Sequence, residues 1–252
     1  MAENVSSSVL FHFTKSMAYL RSILKHGFFP HYCPEYTPNA YDREAASNRR
    51  PPMRAAPMVC FCDLPLSLIR RHLREYGPYG IGLDKKWGLK NGVAPVIYTH
   101  PKAQTRLSIL HLTDKAAESN DRPPANDAEI LAAYTKPFAG PAWRNNHVKP
   151  QVRFYEEREW RYVPVSCGVD PLFLDREDYH NKAKVNRIHK RFKEQNSLQV
   201  PQRDIQYLIL PYTKDERETV ELHDYLRKLY GREDAIKVTT AIMTVDRIEK
   251  DV

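Results

Sequence analysis

The chain has 252 residues, with 39 lysines and arginines against 31 acidic residues and a formal net charge of +8. That length suits one large domain or two small ones, and the positive charge favours an anionic partner such as nucleic acid or a nucleotide. No apolar run approaches the roughly 20 residues of a membrane helix, and no secretory signal is visible at the N-terminus. Four cysteines indicate a reducing compartment, so we expect a cytoplasmic protein without a membrane partner.

The first predicted elements are a short apolar strand and a helix. The strand covers Val9 to Phe13, and Thr14 caps a helix that ends near His26, before Gly27. His12 lies within the strand. It is either a structural residue or a polar group that faces a ligand crevice, and both alternatives stay open at this point.

Residues 28 to 57 follow neither a helical nor a strand period. A long irregular segment inside a compact domain is uncommon and often forms a lid or a binding loop. Its basic end, with Arg49, Arg50 and Arg54, lies among prolines and follows tyrosines. That composition could hold phosphate and stack bases, and the alternative is an ordinary surface loop.

The next apolar strand is predicted for Met58 to Cys62, and Asp63 then caps a helix that continues to Tyr76. Cys60 and Cys62 have no second cysteine pair nearby, so buried free thiols are expected rather than a metal site. Three glycines follow between residues 77 and 82 and allow the backbone to approach another group closely. Their spacing matches neither a dinucleotide-binding nor a P-loop motif.

The middle of the chain contains one further strand and two helices. The strand is predicted for Ala94 to Thr99, and the helices lie within residues 101 to 135, on either side of a polar loop. The segment from Lys136 to Gln151 is predicted to be irregular.

The segment Tyr155 to Val163 is predicted to be a strand, although it carries three acids and two arginines. Alternation places Glu157, Glu159 and Arg161 on one face. Two carboxylates this close repel each other, so they are exposed, paired with cations or used in chemistry. The segment is therefore either an edge strand with ion pairs or an active-site strand with a Glu-x-Glu motif.

The C-terminal part begins with a basic amphipathic helix at Asn181 to Lys193. Its side chains Lys184, Arg187 and Arg191 are candidates for nucleic-acid contact, and a solvated helix face is the alternative. The remaining predicted elements are a strand at Asp204 to Pro211, a helix that a Thr213–Glu216 capping box opens and that ends at Tyr230, and a strand at Ile236 to Val245.

The order of these elements predicts an α+β fold with mixed sheets flanked by helices. No internal repeat or linker is visible. We therefore expect a single domain over residues 1–252, with core motifs in 8–165 and a C-terminal α/β extension in 166–252.

Several blocks in a fixed order resemble the AbiGi-type abortive phage-resistance family. The resemblance extends to Arg247-Ile248-Glu249, and the blocks that carry it are His12-Phe13-Thr14, the Leu20–Phe28 helix, Pro57 to Ser67, Tyr79-Gly80-Ile81-Gly82-Leu83 with Trp87, and Glu157 to Pro164. It implies a role in defence against phage. Members of the family are labelled antitoxins, which implies a cognate toxin or antitoxin partner.

The His-aromatic-Thr first strand, a middle strand and the late Glu-x-Glu strand also resemble, more loosely, NAD-dependent ADP-ribosyltransferases of the DarT-like type. This resemblance implies the ADP-ribosyltransferase fold, with NAD as the cosubstrate. It implies that Glu159 binds the 2′-hydroxyl of the nicotinamide ribose, that Glu157 orients the acceptor and that His12 holds a ribose hydroxyl. The cofactor-binding residues that it implies are His12, Thr14, Tyr76, Tyr79 and Arg161.

The function predicted first is therefore transfer of ADP-ribose to nucleic acid, or to a host or phage protein, with Glu159, Glu157 and His12 as catalytic residues. A carboxylate near the ribose suits this chemistry because cleavage of the nicotinamide bond develops positive charge. The alternative is a non-catalytic antitoxin or nucleic-acid-binding protein. A metal-dependent nuclease that uses the acid cluster is a third hypothesis, for which no supporting Asp/Glu-x-Lys pattern is present.

Overall fold

The computed structural model describes residues 6–36, 53–100, 102–118, 127–144, 147–164, 172–211 and 216–250. The chain divides into two compact units. Unit 1 comprises Met1–Phe28, Cys60–Val93 and Leu198–Val252, and unit 2 comprises Phe29–Val59 and Ala94–Ser197. Each unit combines segments that are distant in sequence. The single domain predicted above, with its boundaries at 165 and 166, stays a prediction.

The described residues form strands and helices in an order typical of an α+β protein. The strands are β1 (Val9–Thr14), β2 (His31–Tyr36), β3 (Met53–Cys62), β4 (Tyr79–Asp84), β5 (Ala94–Pro95), β6 (Ile97–Thr99), β7 (Thr135–Pro137), β8 (Ala139–Arg144), β9 (His147–Arg153), β10 (Glu159–Tyr162), β11 (Ile205–Leu210) and β12 (Ile242–Thr244). The helices are α1 (Met17–His26), α2 (Arg70–Tyr76), α3 (Lys85–Lys90), α4 (Gln104–Glu118), α5 (Asp127–Ala133), α6 (Arg176–His180), α7 (Lys182–Gln195), α8 (Arg217–Tyr230), α9 (Arg232–Thr239) and α10 (Val245–Lys250).

Unit 1 contains a mixed sheet with the strand order β12-β11-β4-β1-β3. Its neighbouring strands are antiparallel except for β11 and β12, which are parallel. In the register of β1 and β4, Thr14 lies opposite Tyr79 and His12 opposite Ile81. Since directly opposed residues share a face of a sheet, these four residues project to the same side. The predicted α+β class with mixed sheets and flanking helices is confirmed.

The glycines of β4 lie beneath the aromatic side chains of β1. A Cβ atom at Gly82 would approach Phe11 Cε1 to 2.7 Å, and one at Gly80 would approach the Phe13 ring to 3.0 Å. The core of unit 1 continues from Phe11 through buried apolar residues of the sheet and helices, namely Val9, Cys62, Leu64, Ile69, Leu73, Ile209 and Ile248. The glycines of this segment therefore allow aromatic rings of β1 to pack closely against the backbone of β4.

Two predicted caps in unit 1 were wrong. The N-cap of α1 is Ser16, whose side chain accepts a hydrogen bond from the Tyr19 amide, so Thr14 belongs to the strand. Asp63 instead accepts hydrogen bonds from Ser6 and Ser7 and pairs with Lys85, 2.8 Å away. The carboxylate is therefore used in a tertiary contact, and α2 begins only at Arg70, after a short 3₁₀ turn.

The final predicted strand of unit 1 was also wrong over most of its length. Residues Arg232–Thr239 form α9, because Ala235 and Val238, three positions apart, are both buried on one helical face. Only Ile242–Thr244 form a strand, and α10 follows it. For α8 the predicted end at Tyr230 is confirmed, whereas Thr213 of the predicted capping box lies outside the described residues.

Unit 2 contains strands in segments that the sequence predicted to be irregular. β2 pairs with β3 in antiparallel register from His31–Met58 to Tyr36–Met53, so the predicted long loop between residues 28 and 57 was wrong at both ends. Residues 37–52 lie outside the described part. β8 and β9 form an antiparallel pair and β7 pairs in parallel with β6, which corrects the prediction for Lys136 to Gln151.

The predicted strand from Tyr155 to Val163 is shorter than expected. Phe154–Glu157 form a 3₁₀ turn, and β10 covers only Glu159–Tyr162. This strand pairs with β5 through Trp160 and Arg161 and neighbours β3. The two helices predicted within residues 101 to 135 are confirmed as α4 and α5, and the basic helix is confirmed as α7.

Within the described residues, no helix combines the length and the apolar character that crossing a membrane requires. Cys33, Cys60 and Cys62 are free thiols.

Candidate functional site

The Glu-x-Glu segment of unit 2 is shaped by an unusual backbone conformation at Arg158. This residue has φ 44° and ψ 50°, in the left-handed region, which costs a non-glycine residue on the order of 1 kcal/mol. It turns the chain from the 3₁₀ turn into β10. The prediction that Glu157 and Glu159 lie on one face of the same strand was therefore wrong. Both carboxylates nevertheless reach the same cation.

That cation is the Lys136 ammonium on β7. Its Nζ donates to Glu157 Oε2 at 2.8 Å and to Glu159 Oε2 at 2.7 Å, and Glu35 Oε1 lies 3.6 Å away. The ring of Phe154 lies beneath it, with its centroid 4.7 Å from Nζ. Three carboxylates thus converge on a cation that belongs to the chain itself.

Arg161 on β10 forms the second half of this network. Its Nε donates to Glu159 Oε1 at 2.7 Å and its Nη2 to Glu159 Oε2 at 3.2 Å. Nη1 donates to Glu35 Oε2 at 3.0 Å and to the Ala133 carbonyl at 2.7 Å, and Nη2 also donates to Glu35 Oε1. All five N–H donors of the guanidinium are therefore used.

These groups are buried as well as paired. Glu157 is 3% exposed, Glu159 7% and Arg161 0%. Glu159 and Arg161 project to the same side of β10, as the alternation predicted. Because breaking a buried ion pair leaves an uncompensated charge, this network of Glu35, Lys136, Glu157, Glu159 and Arg161 is a strong structural constraint on unit 2.

The charges decide the ionisation of Glu159. Burial alone would raise its pKa, but Arg161 and then Lys136 outweigh burial and hold the pKa of Glu159 well below its usual range. Burial would likewise lower the pKa of Lys136, yet Glu159, Glu35 and Glu157 raise it well above its usual range. Both groups therefore stay ionised at neutral pH.

A tyrosine hydroxyl fixes the start of β10. The backbone amide of Glu159 donates to the Tyr98 hydroxyl at 2.9 Å, and burial raises the pKa of Tyr98, with Glu159 adding to the rise. Tyr134 holds the other end, where its hydroxyl accepts from the Val163 amide at 3.3 Å. The position of Glu159 is thus set by backbone and side chain together.

Each carboxylate oxygen of Glu159 already accepts a hydrogen bond from a cationic donor. A substrate hydroxyl would have to compete with Arg161 or Lys136 for these oxygens. Among the described residues, no group of three His, Cys, Asp or Glu side chains is arranged to hold a metal ion. The arrangement suits a structural ion network more than an open catalytic carboxylate.

The other predicted catalytic residue, His12, lies in unit 1. Its Nδ1 lies 2.8 Å from the Cys60 carbonyl oxygen, and since a carbonyl can only accept, Nδ1 donates. The ring packs edge-on against Phe28 and Phe61, at 5.0 and 5.9 Å between centroids. His12 is therefore half-buried and held in place within the sheet, and its predicted role in binding NAD stays a prediction.

The predicted cofactor-binding residues of unit 1 fall on two faces of its sheet. Thr14 and Tyr79 lie opposite each other, on the face of His12. The Tyr79 hydroxyl donates to Glu218 Oε1 at 2.8 Å, and burial and this contact raise the pKa of Tyr79 to about 12. Tyr76 is close to His72, which packs near Phe13 on the opposite face. The structure therefore brings Tyr79 opposite Thr14, whereas the Tyr76 ring packs against His72.

The predicted nucleic-acid contacts are only partly described. Arg49 and Arg50 lie outside the described residues. Arg54 lies on β3, with its guanidinium carbon 6.0 Å from the Phe173 ring centroid. Arg187 and Arg191 are exposed on α7, whereas Lys184 is half-buried and pairs with Asp178. Their contact with nucleic acid stays a prediction.

Sequence reasoning missed the roles of Lys136, Glu35 and Tyr98. Lys136 lies 21 residues before Glu157 and Glu35 lies 126 residues before Arg161, so no local period connects them. The charge of the Glu-x-Glu segment was the one signal that could have pointed to them, because two acids buried close together require cations from elsewhere in the fold.

Comparison with known proteins identifies the relatives of this chain. Residues 26–211 match the family model described as “Putative abortive phage resistance protein AbiGi, antitoxin”. The chain is also similar to the abortive phage resistance protein AbiGi of Lactococcus lactis subsp. cremoris, with 30% identity over 169 residues that cover 58% of this chain and 68% of that protein. No solved structure matches the chain, so the resemblance to the ADP-ribosyltransferase fold stays a prediction.

Proposed function

Because this chain belongs to the AbiGi family of abortive phage resistance proteins, we propose that it is the antitoxin of an abortive-infection system. In this role it binds a cognate toxin and suppresses toxicity without chemistry of its own. A cytoplasmic location is part of the proposal and is consistent with the free thiols of Cys33, Cys60 and Cys62.

One observation carries the non-catalytic part of the proposal. Both oxygens of Glu159 accept hydrogen bonds from Arg161 or Lys136, and the residue is 7% exposed. A catalytic carboxylate needs at least one oxygen available to the reacting group. In this chain the motif contributes instead to the stability of unit 2, and a stable unit is what a binding protein requires.

NAD-dependent ADP-ribose transfer is the second candidate, because Arg161 and Lys136 hold Glu159 as the carboxylate that this chemistry needs. In this function Glu159 binds the ribose 2′-hydroxyl and Glu157 orients a nucleic-acid or protein acceptor. Binding of NAD by His12, Thr14, Tyr76, Tyr79 and Arg161 stays a prediction from the sequence. This function requires the Glu159 network to open when NAD binds.

The experiment compares protection of toxin-expressing cells by the wild-type chain and by a His12→Gln/Tyr79→Phe variant. Both substitutions remove groups that NAD would contact and leave the buried network of unit 2 intact. An antitoxin that acts by binding keeps full protection in this variant, whereas a transferase loses it. Incubation of the purified chain with labelled NAD and DNA, RNA or cell extract should then give no labelled product.

A further inference from the structure

Helix α7 concentrates much of the positive charge of the chain. Its 14 residues include six basic side chains and one acid, Glu194, which lies near its C-terminal end. The whole chain has a net charge of +8. A single helix therefore contributes most of the charge imbalance that composition alone revealed.

The basic side chains occupy the outward side of α7. Val185 and Phe192 are buried beneath the helix, and the exposed basic residues are Lys182, Arg187, Lys190, Arg191 and Lys193. At 1.5 Å per residue the helix is about 21 Å long, and at 3.6 residues per turn these five cations spread over about half of its circumference. We call this solvent-facing half of the helix the α7 basic face.

Little in the described part of the chain neutralises this face. Lys184 pairs with Asp178 of α6, and among the described residues the five exposed cations form no ion pair. Lys193 lies over the Phe29 ring, 5.6 Å from its centroid. Like charges in a row repel each other, and they are compatible with a stable helix when solvent or an anionic partner screens them.

The helix is also held firmly in unit 2. Asn181 caps it by accepting from the Lys184 amide at 3.1 Å. His189, one turn from the exposed cations, accepts from the Tyr32 amide of β2 at 3.1 Å, and its ring packs against His31 at 4.6 Å. The α7 basic face is thus presented on a fixed support, which lowers the entropic cost of binding.

We propose that the α7 basic face binds the phosphate backbone of duplex DNA, a function separate from toxin binding. Lysine and arginine side chains on a rigid helix are the groups that contact phosphates. The exposed positions of α7 contain no aromatic residue for base stacking, which disfavours single strands. The major groove of B-form DNA admits a helix, whereas that of A-form RNA is too narrow.

The affinity should carry the salt dependence of phosphate binding. Each phosphate contact adds about −0.9 to the slope of log K against log salt concentration. If all five exposed cations contact phosphates, this slope approaches about −4.5. In a variant that lacks three of the cations, the slope becomes shallower by about 2.7.

The test measures binding of the full chain to a fluorescent mixed-sequence DNA duplex of about 20 base pairs, roughly two helical turns. Anisotropy is recorded from about 50 to 200 mM NaCl. The test variant is Arg187→Gln/Lys190→Gln/Arg191→Gln. The matched control, Arg227→Gln/Lys228→Gln/Arg232→Gln, removes two arginines and one lysine that are equally exposed on α8 and α9.

We expect the wild-type chain and the control variant to bind the duplex with similar slopes, and the α7 variant to bind at least tenfold more weakly with a shallower slope. We also expect the α7 variant to neutralise the toxin normally. The proposal is overturned if the wild type does not bind at low salt, if both variants behave alike, or if single-stranded DNA or duplex RNA binds more tightly. Loss of toxin neutralisation with unchanged DNA binding also overturns it and assigns the face to an acidic surface of the toxin.

Discussion

At the scale of single residues, the chemistry of this chain depends on how two acids that flank Arg158 are neutralised. The sequence correctly indicates that Glu157 and Glu159 must be exposed, paired or used. The sequence cannot indicate which of these three states applies, because Lys136 and Glu35 join the network only through tertiary contacts. The five-donor geometry of Arg161 explains why an arginine is found at the centre.

Replacing Glu159 by glutamine should lower the free energy of unfolding by about 3 kcal/mol, since the buried Arg161 and Lys136 lose a counter-charge. Equilibrium urea unfolding measures the change. The control is Glu156→Gln, because Glu156 is a surface acid in the same segment, with its side chain 45% exposed. Equal stabilities of the two variants would contradict a structural role for Glu159.

Replacing Arg161 by lysine keeps the charge but supplies three donors in place of five. Glu35 and Glu159 then lose bidentate partners, so we expect a loss of stability of about 2–3 kcal/mol. The exposed Arg153→Lys change should have no measurable effect. If the Arg161→Lys variant is as stable as the wild type, positive charge alone stabilises the network and the guanidinium geometry is not required.

At the scale of elements, β4 shows what the glycines of the Tyr-Gly-Ile-Gly-Leu segment do. In Gly82→Ala the new Cβ meets Phe11 Cε1 at 2.7 Å and Val9 Cγ1 at 2.9 Å, so overpacking should cost about 1–3 kcal/mol. Gly140→Ala on β8 is the control, because its nearest neighbour lies at 3.7 Å. Thermal unfolding of both variants measures the difference, and a stable Gly82→Ala variant would refute close ring packing.

The contact between α7 and β2 should make unit 2 sensitive to acid. Burial, and then the charge of His31, lower the pKa of His189 to about 4 from 6.5. Between these values the unfolded chain binds more protons than the folded chain, so the free energy of unfolding falls as pH falls below 6.5. One imidazole binds at most one proton, so the contribution of His189 to this slope stays below about 1.4 kcal/mol per pH unit.

His189→Gln removes this titration and keeps an acceptor for the Tyr32 amide. Urea unfolding at about pH 7.5 and about pH 5.5 should therefore show a smaller loss of stability in the variant than in the wild type. His31 still titrates in both proteins, so a residual slope is expected. Identical pH dependence of the two proteins would show that His189 does not contribute.

Sequence patterns predicted helices and strands correctly where the intrinsic propensity of the residues agrees with their packing in the fold. The strand at Val9 follows from its apolar run, the end of helix α1 from Gly27, and the basic helix α7 from its helical period. Prolines and glycines hid the pairs of β2 with β3 and of β8 with β9, because these residues interrupt the alternation by which strands are recognised. Conversely, β-branched residues suggested a strand where α9 forms, since burial of Ala235 and Val238 outweighs propensity.

At the scale of the whole molecule, each of the two units joins distant segments, and β3 contributes residues to both. Composition and local period contain no information about such a division, because it depends on contacts between residues far apart in sequence. The predicted fold class could therefore be obtained from the sequence, whereas the assignment of His12 to unit 1 and Glu159 to unit 2 could not.

The central claim is that this chain protects cells by binding a toxin. Its most direct test titrates the purified chain into purified cognate toxin, with and without NAD, and measures the remaining toxin activity. A binding antitoxin should abolish the activity at stoichiometric amounts, and NAD should make no difference. Inhibition by far less than one equivalent of the chain, and only when NAD is present, would contradict the account and establish an enzyme.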